Sequence, residues 1–259
     1  MTVNIKGIDT NYIAEGVSSD IPIVILPGWG ATSAVYNLIV KQLAETNRVY
    51  VLDLPGFGIT AEPSSAWSVD DYADFVTAFV ETLQIKELVF MGHSFGGRII
   101  INLCNRNDIS FSIKEAVLID SAGIKNPLTE EQQKRQDRFK KLKKFYSGKT
   151  VSRIFPKALE KLQKKYGSSD YANASPVMKQ TLIKTVTQDY TDKLPNIRQK
   201  IFLIWGENDT ATPISDAYKM NELIPNSTLE IIANAGHFPF LDQPFEFRTV
   251  LNQYISASL

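Results

Sequence analysis

A serine flanked by glycines is the feature of this sequence that most directly suggests chemistry. Ser94 lies in the stretch GHSFGG (92–97), after an apolar run that favours a strand (88–91) and before one that favours a helix (99–103). A turn this tight forces its central residue into a strained backbone conformation, and only neighbours without side chains leave room for it. The pattern predicts a nucleophile elbow that holds the Ser94 hydroxyl above a sheet, at the N-terminus of a helix.

A serine hydroxyl is a poor nucleophile until a base removes its proton, so this chemistry also needs a histidine. The chain has two histidines. His93 stands next to Ser94, where strand geometry points its side chain away from the serine, and we expect it to pack or to hydrogen-bond behind the turn. His237 lies in a loop just after the last predicted strand and is the candidate base.

The histidine in turn needs a carboxylate that fixes its tautomer and stabilises its charged form. Asp209 fits this role best, because it lies in a turn-rich loop (206–213) at the carboxyl end of a predicted strand. Asp120, at the end of another predicted strand, is the alternative acid, and Glu207 is expected to be a loop or rim residue. The predicted order along the chain is therefore serine, aspartate, histidine.

The oxyanion of a tetrahedral intermediate needs hydrogen-bond donors. One donor is expected to be the backbone N–H of Phe95, at the start of the elbow helix. The second is expected to be the N–H of Trp29, in the turn PGWG (27–30) after an apolar strand. Glycines such as Gly28 let the main chain approach a ligand there. An ordinary Pro-Gly turn is the alternative interpretation.

Around these residues, strand-like apolar runs alternate with helix-like segments. Strands are predicted at about 3–7, 12–15, 23–26, 49–52, 88–91, 116–119, 201–205 and 228–232. Helices are predicted at about 33–45, 68–83, 214–223 and 245–254, besides the elbow helix. Such alternation predicts an α/β fold with a mostly parallel central sheet and helices on both faces.

The segment 123–195 contains no strand-like run and is rich in Lys, Gln, Glu and Leu. A structureless loop of that length is uncommon in a compact domain, so a helical insertion is predicted. Residues 125–170 carry 14 Lys or Arg and 5 Asp or Glu. A solvated helix face is one explanation of this charge. The other is a basic lid that steers anionic substrates or contacts an anionic surface.

The composition limits the classes of function. The chain has 259 residues, 44% of them hydrophobic, and its 28 Lys and Arg balance 28 Asp and Glu, so no global charge points to nucleic acid. The single cysteine, Cys104, excludes an internal disulfide and a cysteine-based metal cluster. The start of the chain does not resemble a signal peptide, and the apolar runs have strand length. We expect a cytoplasmic protein with no membrane span, metal or cofactor.

Together these motifs resemble those of the α/β-hydrolase superfamily over essentially the whole chain. They are LPGWG (26–30), in which Pro27 replaces the histidine of the family's His-Gly start, DLPGFG (53–58), the elbow, the Asp209 loop, and Gly236-His237 followed by Pro244 and Phe245. The insertion falls where family members carry a helical cap over the active site. The resemblance therefore implies a core at 1–122 and 196–259, with a cap at 123–195.

The nucleophile narrows the expected reaction. Relatives that resemble haloalkane dehalogenases and epoxide hydrolases use an aspartate where this chain has Ser94, so the resemblance favours acyl transfer through a serine. The first expectation is a carboxylesterase that acts on a small acyl substrate. A basic lid would favour anionic substrates. The second expectation is an enzyme that cleaves a C–C bond, as a hydrolase or a lyase. The third is a small-molecule receptor with low turnover. The expected catalytic residues are Ser94, Asp209 and His237, and the expected substrate-binding residues are Gly28, Trp29, Phe57, Phe238 and Phe240.

Overall fold

The computed structural model describes residues 1–17, 21–127, 129–147, 158, 161 and 169–258. Its strands are β1 (Thr2–Ile5), β2 (Ile8–Glu15), β3 (Ile23–Leu26), β4 (Val49–Leu52), β5 (Glu87–His93), β6 (Ser112–Ile119), β7 (Lys200–Gly206) and β8 (Ser227–Ile232). They form one sheet in the order β1-β2-β4-β3-β5-β6-β7-β8. β2 pairs antiparallel with β1 and β4, and the other neighbours pair parallel. The predicted mostly parallel α/β sheet is confirmed.

The helices surround this sheet. Those of the described residues are α1 (Asn37–Leu43), α2 (Val69–Thr82), α3 (Phe95–Cys104), α4 (Glu130–Tyr146), α5 (Ser169–Asn173), α6 (Pro176–Val186), α7 (Ile214–Leu223), α8 (Pro239–Asp242) and α9 (Pro244–Ser258), with 3₁₀ helices at Ser33–Tyr36 and Thr191–Asn196. The single helix predicted at 33–45 is therefore two pieces, a 3₁₀ turn followed by α1. None of the described helices has the length and apolar character that a membrane crossing requires.

The first hairpin differs from the predicted strands at 3–7 and 12–15. Lys6 and Gly7 have φ values of 49° and 83°, and Ile5 pairs with Ile8 across them. Positive φ at both positions is typical of a two-residue hairpin turn of type I′, so these residues form the turn rather than the end of β1. β2 consequently begins at Ile8.

The core lies on both faces of the sheet. In β3, Val24 and Leu26 join one cluster of buried residues, which also contains the apolar faces of α2 and α3. Ile23 and Ile25 join the opposite cluster, with side chains from α1 and α9. Because successive side chains of a strand point to opposite faces, a strand covered on both sides is apolar throughout.

Between β6 and β7 the described residues form helices and no strand. α6 is tied to the segment before α2: the Trp67 N–H donates to Thr181 Oγ1 at 3.1 Å, and Lys184 Nζ donates to the Ala66 carbonyl at 2.6 Å. The rest of the predicted insertion, at 128, 148–157, 159–160 and 162–168, lies outside the described residues.

The parallel strands bring the predicted chemical residues to one edge of the sheet. The Trp29 loop follows β3, Ser94 follows β5, Asp120 follows β6, Asp209 follows β7 and His237 follows β8. β3 and β5 are neighbours, but the chain leaves β3 toward β4, on the other side. The loops after β3 and β5 therefore run in opposite directions. Where neighbouring loops diverge in this way, they leave a crevice at the carboxyl ends of the strands.

We expect Gly96→Ala to destabilise the fold severely. A Cβ at Gly96 would lie 2.0 Å from the carbonyl oxygen of Leu26, so α3 and β3 would have to separate. The free energy of unfolding, measured in urea, should fall by about 3 kcal/mol, at the upper end of what overpacking costs. In the control Gly30→Ala, the Cβ meets no atom within 4 Å and φ is +76°, so only backbone strain is added, about 1 to 2 kcal/mol. Equal losses in the two variants would contradict this account of the helix–strand contact.

Candidate active site

Ser94 occupies the turn between β5 and α3 with φ 51° and ψ −111°. Such a conformation costs of order 1–3 kcal/mol and persists only where neighbouring structure enforces it. The Ser94 N–H donates to the Ile119 carbonyl at 3.0 Å, and its own carbonyl accepts from the Ala122 N–H at 3.0 Å. A Cβ at Gly92 would lie 2.7 Å from the backbone nitrogen of Gly97, so the turn also requires this glycine. The strained turn that the glycine pattern predicts is present.

The structure brings Ser94, His237 and Asp209 into one series of hydrogen bonds. Ser94 Oγ lies 3.0 Å from His237 Nε2, and His237 Nδ1 lies 2.8 Å from Asp209 Oδ2. Because a carboxylate only accepts, the His237 proton belongs on Nδ1, which leaves Nε2 to accept the Ser94 hydroxyl. General-base activation of a serine requires these contacts in this order.

The carboxylate of Asp209 is fully buried and held by several donors. Thr212 Oγ1 donates to Oδ2 at 2.6 Å, and the N–H groups of Ala211 and Thr212 donate to Oδ1 at 2.7 and 3.1 Å. Burial raises the pKa of Asp209, but hydrogen bonds from His237 and Thr212 outweigh it and lower the pKa to about 2. Asp209 is therefore charged at neutral pH. Sequence reasoning did not identify Thr212, although it stands three residues from Asp209 in the same loop.

The loop that carries His237 is fixed by the end of β7. Glu207 Oε2 accepts from the Asn234 N–H at 3.0 Å, so Glu207 anchors this loop. Asp242 Oδ2 accepts from the Gly236 N–H at 2.8 Å. A Cβ at Gly206 would lie 2.1 Å from the Gly236 carbonyl oxygen, so the close packing of the two segments requires glycine there.

The two expected oxyanion donors flank the serine. Phe95 is the first residue of α3, so its N–H has no partner within the helix. In the PGWG turn, the Gly28 N–H donates to Tyr36 Oη at 2.9 Å, whereas no hydrogen bond joins the Trp29 N–H to a described residue. A Cβ at Gly28 would lie 3.3 Å from the Cβ of Ser94. The main chain of this turn thus approaches the serine closely.

Ser94 and His237 line a cavity of about 970 Å³. Three of the five expected substrate-binding residues, Gly28, Trp29 and Phe238, also line it. The segment between β6 and β7 contributes further lining residues, including Gln133 and Gln136 of α4 and Leu182 and Val186 of α6. The cavity therefore lies between the sheet edge and the helices of the insertion.

Phe240 and Phe57 do not line this cavity. Phe240 is 1% exposed and packs its ring 5.4 Å from that of Tyr36 and 5.5 Å from that of His93, behind the elbow. Contrary to the expectation from sequence, it is a core residue, because α8 turns it inward. Phe57 lines a smaller neighbouring cavity of about 300 Å³, together with Trp29. The Phe57 ring lies 4.8 Å from the Trp29 ring. Phe57 therefore packs against a residue that lines the main cavity and does not face that cavity itself.

A family model described as alpha/beta hydrolase fold matches residues 21–244. The chain belongs to this family. It is 22% identical over 267 residues to 2-hydroxy-6-oxo-2,4-heptadienoate hydrolase of Pseudomonas putida (97% of this chain, 94% of the relative). It is 26% identical over 251 residues to pimeloyl-[acyl-carrier protein] methyl ester esterase of Aliivibrio salmonicida (93% and 94%). The solved structure of esterase EaEST from Exiguobacterium antarcticum matches with a TM-score of 0.75 at 21% identity, over 98% of each chain.

Within this α/β hydrolase, His93 connects the loops on the two sides of the serine. Its Nε2 lies 2.7 Å from the His237 carbonyl oxygen and its Nδ1 lies 3.0 Å from Tyr36 Oη. Since a carbonyl only accepts, Nε2 carries the proton and the Tyr36 hydroxyl donates to Nδ1. Burial, and then the charge of His237, lower the pKa of His93 to about 3, so it stays neutral. Through Tyr36, this series of hydrogen bonds reaches the Gly28 N–H.

Asp120, the alternative acid, lies beside Asp209 but makes different contacts. It is fully buried, its Oδ1 accepts from the Gly206 N–H at 2.9 Å, and its Oδ2 has no hydrogen-bond partner. Burial raises the pKa of Asp120 to about 9, with the nearby charge of Asp209 adding to the effect. Asp120 is therefore neutral at pH 7, and the structure gives the contact with His237 to Asp209.

Asp120, Asp209 and His237 also form the one set of possible metal ligands in the described part of the chain, with ligand atoms within 4.8 Å of one another. Asp209 and His237 hydrogen-bond each other at 2.8 Å, and Asp120 Oδ1 accepts from the Gly206 N–H at 2.9 Å. These contacts account for the proximity of the three side chains without a bound ion.

We expect Asp120→Asn to remove a pH-dependent loss of stability. The folded protein holds the Asp120 proton more tightly than the unfolded chain does, so stability falls as pH rises from about 4 toward about 9. An asparagine mimics the protonated carboxyl and cannot ionise. The Tm of the variant should equal or exceed that of the wild type, by a margin that widens between about pH 5 and about pH 8. A Tm difference that stays constant over this range would contradict the assignment.

Proposed function

We propose that this α/β hydrolase cleaves carboxylic esters of small molecules through an acyl-enzyme on Ser94. The observation that carries the proposal is the hydrogen-bond series from Ser94 Oγ to His237 Nε2 and from His237 Nδ1 to Asp209 Oδ2, at 3.0 and 2.8 Å. Ser94 and His237 line a cavity of about 970 Å³, which supports a small-molecule substrate. The name of the Aliivibrio salmonicida relative, a methyl ester esterase, supports the ester as the bond cleaved.

In the first half of the reaction, Ser94 Oγ attacks the ester carbonyl carbon as His237 Nε2 takes the hydroxyl proton. Asp209, whose pKa is about 2, remains charged and stabilises the imidazolium. The carbonyl oxygen gains negative charge and accepts hydrogen bonds from the N–H groups of Phe95 and Trp29. The C–O bond to the leaving group then breaks, and His237 returns the proton to the departing alkoxide.

In the second half, water replaces the alcohol. His237 Nε2 takes a proton from the water molecule as the water oxygen attacks the acyl carbon. The same two N–H groups hold the second oxyanion. The bond from the acyl carbon to Ser94 Oγ then breaks, the serine recovers its proton from His237, and the carboxylic acid leaves.

We infer that residues 123–195 act as a cap that shapes the substrate cavity. Gln133 and Gln136 of α4 line that cavity together with residues of α6, which supports this role. The charge of α4 fits a solvated face better than a steering lid, since the α4 side chains at the cavity are glutamines. Lys134, for example, is 80% exposed and pairs with Glu130 at 3.6 Å.

Hydrolysis of a C–C bond by the same residues is the second candidate. The Pseudomonas putida relative, by name a 2-hydroxy-6-oxo-2,4-heptadienoate hydrolase, favours it. Parallel assays with a simple ester and with a vinylogous 1,5-diketone separate the two reactions. Multiple turnovers of the ester support esterase activity, whereas turnover of the diketone alone supports the second candidate. A single turnover of either compound would favour a receptor.

The proposed roles predict a specific ranking of variants. His237→Ala should lower kcat for a short ester by roughly 10³–10⁶-fold, and Asp209→Asn by roughly 10⁴-fold, because each removes a group that the transition state requires. Ser94→Ala should abolish acyl-enzyme turnover. Asp120→Asn serves as the matched control, an aspartate on the same sheet edge whose amide replacement should cost less than about tenfold. If Asp120→Asn loses more activity than Asp209→Asn, the acid has been assigned to the wrong strand.

A further inference from the structure

Arg98 is a cation in the substrate cavity that the mechanism above does not use. It stands in the first turn of α3, four residues after Ser94, and its backbone N–H donates to the Ser94 carbonyl at 3.3 Å. Its Cα therefore lies one turn beyond the serine, about 6 Å further along the helix axis. Arg98 is 6% exposed and lines the same cavity as Ser94 and His237.

The guanidinium of Arg98 is incompletely satisfied. One terminal nitrogen donates to the carbonyl oxygen of Thr185 on α6, and Nε is buried without a hydrogen-bond partner. Within the described ranges no carboxylate forms an ion pair with it. Burial lowers the pKa of Arg98, against the opposing effect of Tyr190 and Asp189. A buried charge is costly unless an opposite charge accompanies it, so this arginine lacks the partner that its position calls for.

The other charged groups at the cavity do not supply that partner. Asp216 is buried, but its Oδ1 accepts from Asn126 Nδ2 at 2.8 Å. Asp170 and Lys125 are exposed residues at the rim. Of the described cavity-lining residues, Arg98 is therefore the buried side chain with a full positive charge.

We propose that Arg98 binds a carboxylate of the substrate, so that the preferred substrates are half esters of short dicarboxylic acids. A carboxylate matches the planar guanidinium and forms strong charge-assisted hydrogen bonds with it. The cavity excludes much of the solvent around Arg98, which strengthens such bonds. Because Ser94 and Arg98 line one cavity and stand one helical turn apart along the backbone, we expect a spacer of a few methylene groups between the ester and the carboxylate. This proposal rests on the ester hydrolysis proposed above.

The test compares two methyl esters of equal chain length, monomethyl adipate and methyl hexanoate, by the release of methanol. In the wild type, kcat/KM should be at least about tenfold higher for the half ester, the amount expected for a hydrogen bond to a charged group. Arg98→Met should bring the ratio of the two kcat/KM values close to one. Arg98→Lys, which keeps the charge but loses the planar geometry, should restore part of the preference.

Lys125→Met is the matched control, since it removes an exposed cation at the rim of the same cavity. It should change the ratio by less than about threefold, as exposed charges contribute little. A wild type without preference for the half ester overturns the proposal. So does an Arg98→Met protein in which kcat/KM falls equally for both esters, because that result would limit Arg98 to holding the Thr185 carbonyl.

A binding measurement separates this proposal from the proposed reaction. In calorimetry, the Ser94→Ala protein should bind monomethyl adipate at least about tenfold more tightly than methyl hexanoate. This difference in affinity should vanish in the Ser94→Ala, Arg98→Met double variant. If the wild type hydrolyses neither ester but this binding difference is found, the ester assignment fails and the carboxylate site stands. If esters are hydrolysed but binding shows no difference, the carboxylate site fails alone.

Discussion

The strained backbone of Ser94 is the constraint on which the rest of the site depends. Its φ of 51° brings α3 directly after β5, which fixes the Phe95 N–H and Arg98 relative to the serine hydroxyl. Hydrogen bonds from the segment around β6 hold the strained residue on both sides. The adjacent His93 joins the Gly28 turn to the His237 loop, through Tyr36 on one side and a carbonyl on the other. The parts of the site are therefore positioned by one turn and not independently.

Two buried aspartates on neighbouring strands illustrate how surroundings assign a role. Asp209 receives hydrogen bonds from backbone N–H groups, from Thr212 and from His237, which favour its charged form. Asp120 receives one, from the Gly206 N–H, and burial favours its neutral form. A charged and a neutral carboxyl within a few ångströms avoid the repulsion that two charged ones would suffer. Because Asp120 is the neutral carboxyl, Asp209 is the one that interacts with His237.

Much of this architecture could be predicted from the sequence, because strand-length apolar runs and the glycine spacing around Ser94 are local signals. The position of Asp209 followed from the same signals, since loops after parallel strands share an edge. Phe240 could not be placed, because whether a loop aromatic faces the cavity or the core depends on how α8 packs. The state of Arg98 could not be predicted either: the sequence shows its spacing from Ser94, but only the fold shows that its Nε lacks a hydrogen-bond partner.

Labelling with a fluorophosphonate, which phosphonylates activated serines, tests the central claim most directly. Mass spectrometry of the intact protein and of its peptides identifies the modified residue. We predict one equivalent of label on the peptide that contains Ser94, no label in Ser94→Ala, and much slower labelling in His237→Ala. Label on another residue, or equal labelling of folded wild-type and His237→Ala protein, would contradict an activated nucleophile at Ser94.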